Sequence, residues 1–266
     1  MDRGFLFGDG VYEVIPCYGG QPVAMPYHLE RLHDSLRGIA LSPSHSDEQW
    51  NALIDELIRQ NGGGDLGIYL QITRGVVEKR QHAFPEKCEP TVFAYTFSIS
   101  PPSDGSIESA TCFSTVTRPD QRWGRCHIKS TALLGNVLHM MEAIEENAEE
   151  VLLFNDNDQL TEAAACNVFV VSGEKILTPP LDHQKLPGVT RRQCLELMAA
   201  HTDWAVEVRP VSLEEVLSAR EIWLSSSTKE LSPVVRVNGQ PVNDGKPGPC
   251  WSAAQQLFHQ HRFSRP

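Results

Sequence analysis

The feature that most constrains the fold is a break. Residues 100–109, "SPPSDGSIES", are rich in Ser, Pro and Gly and carry no apolar period, and the patterns on either side of them differ. Before the break, "VYEVIPCY", "YHLERLHDSLRGIAL", "DEQWNALIDELIRQNGGG", "LGIYLQITRG" and "PTVFAYTFSI" read as strand, helix, helix, strand, strand. After it, a strand at "ATCFSTVTR" and a helix at "TALLGNVLHMMEAIEENA" lead into a meander of short strands, "EVLLFND", "NVFVVSG" and "KILTPP". "LPGVTRRQCLELMAAH" reads as a glycine loop opening a helix, followed by "VEVRPVS", "EIWLSSSTKELSPVVRVNG" and a terminal helix at "CWSAAQQLFHQH". The expected class is α+β, mixed α/β, in two domains: residues 1–99, a linker at 100–109, and residues 110–266. A chain of 266 residues can give each its own core.

The first residues are unusual for a chain end. Gly4 to Gly10 place three glycines and two phenylalanines around one aspartate, and the run passes directly into the alternating "VYEVIPCY". That is the pattern of a protein interior.

Composition narrows the function. A net charge of −11 argues against a phosphate-backbone partner, and the nearest basic cluster, Arg118, Arg122 and Arg125, is interrupted by Asp120. No apolar run is long enough to cross a bilayer, and Asp2 after Met1 does not start a secretory signal, so neither a nucleic acid nor a membrane is expected as partner. Seven cysteines are odd in number and scattered without a CxxC pair, and the ten histidines form no HExxH. No metal is expected, and a reducing, cytoplasmic compartment is. His259 and His261 read as a solvated tail.

Several residues could carry chemistry. Lys129 stands where the strand-like "RCHIKS" yields to a helix, between Ile128 and "TALLG", and a partly desolvated amine there loses its proton readily. Taken alone, such a lysine is more often a plain exposed one. Glu162, in "LTEAAACNVF", sits beside three alanines that would let a flat ligand approach the backbone, although taken alone a strand start with small packing residues is the commoner reading. The Pro-Gly turn before Val189 and Thr190 frees backbone N–H groups at a helix start, an anion cup that the hydroxyl run "SSST" at 225–228 could close, although serine runs are more often plain loop. Arg31 lies nearly opposite the stripe Leu29, Leu32, Leu36 and Ile39, which periodicity places in the core, so Arg31 is expected in solvent. Arg80 and His82, two apart, share a side if the chain is extended there and could fork a carboxylate.

The order of these signals resembles the fold-type IV pyridoxal-phosphate aminotransferases. The matching stretches, "RGFLFGDGVYEV", "HLERL", "ITRG", "IKSTALLGN", "TEAAACNVF", "LPGVTR" and "SSSTKELSPV", run in order over essentially the whole chain. The resemblance implies a small N-terminal α/β domain, here lacking the family's first hairpin, and a larger pseudo-barrel domain; it carries the expectation that the natural product begins upstream, or that the first sheet has an unpaired edge. It makes Lys129 the lysine that carries pyridoxal 5'-phosphate and shuttles the proton, and Glu162 the partner of the pyridine nitrogen. Arg31, Val189, Thr190, Ser226 and Ser227 become phosphate ligands, against the periodicity reading of Arg31.

Within the family, Tyr12 with Arg80 and His82 is similar to the substrate-carboxylate trap of D-amino acid aminotransferases, in which the Arg-x-His pair comes from the partner subunit of a homodimer. The implied reaction is transamination between a D-amino acid and a 2-oxo acid, 2-oxoglutarate or pyruvate. The rivals are aminodeoxychorismate lyase, branched-chain L-aminotransferase, and a truncated or inactive relative that only binds. His127 stands where the D-specific members carry aspartate, and Ala163 to Cys166 where they carry serines.

Overall fold

The computed structural model describes residues 1–264; the last two residues of the expected second domain lie outside the described residues. The chain divides into two compact units, Met1–Pro101 with Cys126–Leu133, and Pro102–Arg125 with Leu134–Pro266. The segment around Lys129 therefore groups with the first unit, where the sequence reading put it in the second.

The first unit contains α1 (Arg3–Phe7), β1 (Gly10–Tyr18), β2 (Gln21–Pro22), α2 (Met25–Gly38), α3 (Asp47–Gln60), β3 (Leu66–Thr73) and β4 (Thr91–Ser98). Its sheet has the order β2-β1-β3-β4 and is antiparallel throughout. Strand alternation sends Val11 and Ile15 to one face, where Leu29, Leu32 and Leu36 of α2 and Trp50, Ile54 and Ile58 of α3 close the core. α3 starts cleanly because Ser46 and Gln49 form a reciprocal capping box, worth about 1 kcal/mol. α1 was not legible in the sequence, since "RGFLF" is short and holds a glycine. Asp2 caps it through the Gly4 N–H, and Gly8 ends it at φ 64°, with Ala132 only 3.0 Å from where a Cβ would stand.

The second unit contains β5 (Phe113–Pro119), α4 (Leu134–Glu145), β6 (Glu150–Phe154), β7 (Leu160–Ala163), β8 (Asn167–Ser172), β9 (Lys175–Thr178), α5 (Val189–His201), β10 (Ala205–Val208), α6 (Leu213–Leu217), β11 (Glu221–Ser226), β12 (Glu230–Val237), β13 (Gln240–Pro241) and α7 (Pro249–His261). Its mixed sheet runs β10-β9-β8-β11-β12-β5-β6-β7, with β13 on β12. Strands β8 and β11 are buried almost continuously because both faces are covered. Val168, Val170 and Leu224 join a core with Val211 and Val216, while Phe169, Val171 and Trp223 pack on α5 and α7 through Leu197, Met198, Trp251 and Phe258. The mixed α/β class expected from the sequence is the class observed.

One apolar face is left uncovered, and one reading of side-chain placement is corrected. The stripe Leu134, Val137, Leu138, Met141 and Ile144 of α4 recurs at helical spacing, yet in this chain it is 46–70 % exposed, and α4 buries His139 and Ala143 instead. His259 and His261 are not simply a solvated end. His259 Nδ1 lies 2.9 Å from the Ser103 carbonyl, and the His261 ring stacks on His201 at 4.3 Å.

Candidate active site

In the first unit, β1 alternates Val11, Glu13 and Ile15 into the core and leaves Tyr12 on the other face. A carboxylate at a core position needs partners. Glu13 finds them on α2: Arg31 Nε and Nη2 donate to its two oxygens at 2.8 and 2.7 Å, and His28 Nδ1 lies at 2.7 Å. Burial alone would raise the Glu13 pKa, but Arg31 and His28 hold it down at about 2. This corrects the periodicity reading of Arg31, which is only 6 % exposed. The wheel failed because the core it faces contains an acid. Had Glu13 been counted by strand parity, it would have pointed to a buried cation.

Lys129 is fixed through its backbone. Its N–H donates to Ser35 Oγ at 3.1 Å, and its carbonyl accepts from the Tyr12 N–H at 2.9 Å. The amine stands 4.2 Å from the Tyr12 ring centroid, so Tyr12 and Lys129 are brought together. Tyr12 also stacks on Tyr69 at 5.5 Å. Burial, with Tyr12 and Tyr95 adding to it, pushes the Tyr69 hydroxyl up to about 12.

Arg80 and His82 are exposed on the loop after β3. Arg80 lies over the Phe7 ring at 5.0 Å, and the His82 ring is 5.4 Å from it. What shapes this loop is Arg3, 2 % exposed, which donates to the carbonyls of Gln81, His82 and Ala83 and is itself held by Asp9 at 2.7 Å. The α1 motif therefore presents the Arg-x-His pair, a role the sequence reading did not assign.

In the second unit, Glu162 lies in β7, 5 % exposed. Arg122 Nη1 donates to its Oε1 at 2.5 Å, while Asn167 Nδ2 and the Leu186 N–H each donate to Oε2 at 3.0 Å. Burial raises its pKa to about 7 against the pull of Arg122. Arg122 is no part of a basic surface; its side chain is 3 % exposed and shared with Asp120 at 2.7 Å.

Asn167 ties this carboxylate to the start of α5. Its Oδ1 occupies the space in front of Gly188, 1.9 Å from where a Cβ would stand, so only glycine fits as the residue before Val189. No side chain caps α5, whose first residues Val189 and Thr190 are buried. Asn167 also pairs in register with Ser225, the residue before Ser226 and Ser227. The Ser225 hydroxyl is 2 % exposed and has no hydrogen-bond partner among the described residues. Cys166, in place of the expected serine, is buried; burial first and Glu150 second push its thiol up to about 12, so it stays protonated at neutral pH.

The family model of amino-transferase class IV matches residues 10–237. The chain belongs to the class IV aminotransferases. This aminotransferase is 38 % identical over 263 residues to a D-alanine aminotransferase of Bacillus licheniformis, covering 99 % of this chain and 91 % of the relative. It is 35 % identical over 265 residues to that of Staphylococcus haemolyticus, covering 99 % and 92 %. Among solved structures, the branched-chain amino acid aminotransferase of Escherichia coli superposes with a TM-score of 0.89 at 25 % identity, covering 98 % of this chain and 88 % of that one. A putative 4-amino-4-deoxychorismate lyase of Legionella pneumophila gives 0.86 at 22 %, covering 97 % and 93 %, a likeness of fold.

The enzyme is pyridoxal-phosphate-dependent. Its residues fit that group: a capless helix start closed to any Cβ by Asn167, an orphaned buried hydroxyl at Ser225, and a buried carboxylate at Glu162 suited to a ring nitrogen.

Proposed function

We propose that this aminotransferase moves the amino group of a D-amino acid, D-alanine foremost, to a 2-oxo acid, with 2-oxoglutarate or pyruvate as acceptor. The observation that carries the reading is its 38 % identity, over nearly the whole chain, to a D-alanine aminotransferase. Lys129 would bind the cofactor through Nζ and move the substrate α-proton at that atom. Glu162 would keep a proton on the ring nitrogen. Arg31, Val189, Thr190, Ser226 and Ser227 would hold the phosphate by charge and hydrogen bonds. Bound there, pyridoxal phosphate supplies an electron sink for the carbon that carries the amine.

Tyr12, Arg80 and His82 would fix the substrate carboxylate, with Arg80 and His82 coming from the partner in a homodimer. The exposed apolar stripe of α4 supports an interface between copies, because a surface of five large apolar side chains is unfavourable in water. We read residues 1–99 and 110–266 as separate domains joined at 100–109, apart from Cys126–Leu133, which belongs with the first. The seven free cysteines, four of them buried, suit a cytoplasmic setting; among the described residues no helix is long and apolar enough to cross a membrane.

The test is an amino-donor panel with 2-oxoglutarate as acceptor. D-alanine should be consumed and L-leucine not. Lys129→Ala should abolish turnover and remove the visible absorbance of the pyridoxal-phosphate-loaded protein. Activity with L-leucine alone would refute D-specificity, and pyruvate release from aminodeoxychorismate would favour the lyase.

A further inference from the structure

Between β5 and α4, the segment Asp120–Arg122 carries the two side chains that set the charge at Glu162. Asp120 Oδ1 accepts from the Arg122 N–H at 3.1 Å and from its Nε at 3.0 Å, and Asp120 Oδ2 accepts from Arg122 Nη2 at 2.7 Å. The remaining nitrogen, Nη1, is the one on Glu162. The direction of Arg122 is set jointly by these side-chain partners, by the Gln184 carbonyl that its Nη2 donates to at 3.0 Å, and by the backbone of the segment, where the Asp120 N–H donates to the Phe154 carbonyl at 2.7 Å. That backbone has a specific anchor: the Gln121 N–H donates to His139 Nε2 at 3.2 Å. Since Nε2 accepts, the ring proton is on Nδ1, and it donates to Glu142 Oε2 at 2.9 Å, one turn along α4. His139 is 2 % exposed, a costly place for an imidazole unless both nitrogens are used. On its other side, Gln121, Leu138, His139 and Met141 line an open cavity of about 300 Å³. Packing alone does not hold the segment there.

We propose that His139 is a positioning residue for the cofactor: through the Gln121 amide it holds Arg122 in the orientation that clamps Glu162 against the pyridine nitrogen. The inference rests on the role given above to Glu162. The charged groups around Glu162 are Arg122 and Asp120 from the β5–α4 segment and Arg191 from α5. Those around His139 are Glu142, with Arg118 at 3.9 Å from it, and Glu145 on the same cavity. If Arg122 turns away, Glu162 loses the charge that opposes its burial, takes up a proton more readily, and holds the ring nitrogen less well.

The test uses the full-length, pyridoxal-phosphate-loaded protein and three variants. His139→Leu removes the acceptor; His139→Gln keeps an oxygen able to accept from Gln121; Glu162→Gln removes the carboxylate. The readouts are the dissociation constant for pyridoxal phosphate, the pH midpoint of the visible absorbance, and kcat against KM, with a thermal melt confirming that each variant is folded. His139→Leu should weaken cofactor retention by about three- to tenfold, the worth of one hydrogen bond. It should also displace the absorbance midpoint and lower kcat with donor KM unchanged, and His139→Gln should restore all three. A folded His139→Leu protein that retains cofactor and titrates like wild type overturns the proposal, as does a His139→Gln protein no better than His139→Leu. If Glu162→Gln itself changes neither retention nor absorbance, it is the role of Glu162 that fails.

Discussion

Glu13 in the first unit and Glu162 in the second are each buried against an arginine, and the two are set to opposite purposes. Glu13 and Glu162 are both nearly inaccessible, and burial pushes both upward. Around Glu13, two nitrogens of Arg31 and one of His28 converge on a single carboxylate, and the pKa falls to about 2. Around Glu162, one arginine is divided between two carboxylates, Asp120 and Glu162, and burial prevails at about 7. An arginine beside an acid therefore does not by itself fix its charge; the share of its nitrogens that the acid receives matters, since Glu13 and Asp120 take two each and are held low while Glu162 takes one. Glu13 is built to stay ionised and hold Arg31. Glu162 is balanced near neutrality, as a group must be if a ligand's charge is to decide its state.

The largest effect that breaks this contrast is expected at Arg31. In the cofactor-free protein, Arg31→Met leaves the Glu13 charge buried with its main partner gone, and should cost about 3–5 kcal/mol of unfolding free energy in a denaturant titration. Adding Glu13→Gln should recover much of that loss. If the double variant is no more stable than the single one, the cost arises from packing and not from the stranded charge.

Next in size is the dependence of stability on pH, which should have opposite signs for the two acids. The Glu13 pKa is lowered on folding from 4.5 to about 2, so its contribution is complete above pH 4.5 and disappears as pH falls toward 2. The Glu162 pKa is raised from 4.5 to about 7, so its contribution is complete below pH 4.5 and is lost as pH rises through 7. Each amounts to a few kcal/mol, on the order of 1.4 kcal/mol per unit. Unfolding followed from pH 3 to 8 should show Glu13→Gln flattening the acid limb and Glu162→Gln flattening the neutral limb. A neutral limb unchanged by Glu162→Gln would remove Glu162 from the balanced class.

The same contrast separates what could be read in the sequence from what could not. The strands and helices of both halves follow from alternation and helical spacing, and the order of motifs identified the family. Periodicity misjudged Arg31 because a wheel assumes an apolar core, and Glu13 makes this one polar. The α4 stripe gave the helix correctly but shows the converse limit: spacing shows that a face is apolar, not that this chain covers it. Arg122 and Asn167 were missed because their common partner, Glu162, lies 40 and 5 residues away in the chain, at no spacing that strand or helix periodicity reads. Only Asn167 had a local signal, a lone amide opening an otherwise apolar strand.

The smallest change should be the most diagnostic. Asp120→Asn keeps the shape of the group that Arg122 and Thr161 contact but removes its charge. Arg122 is then no longer divided between two carboxylates, and the Glu162 environment becomes more like that of Glu13. Its pKa should drop by about one unit, the usual effect of removing one nearby like charge. Measured as the pH midpoint of the Glu162-dependent limb of stability in the cofactor-free protein, the shift should be downward and should vanish in an Asp120→Asn, Glu162→Gln double variant. An upward shift would mean that Asp120 acts chiefly by holding Arg122 in place, so that geometry, and not the sharing of charge, separates the two arginine-bound acids.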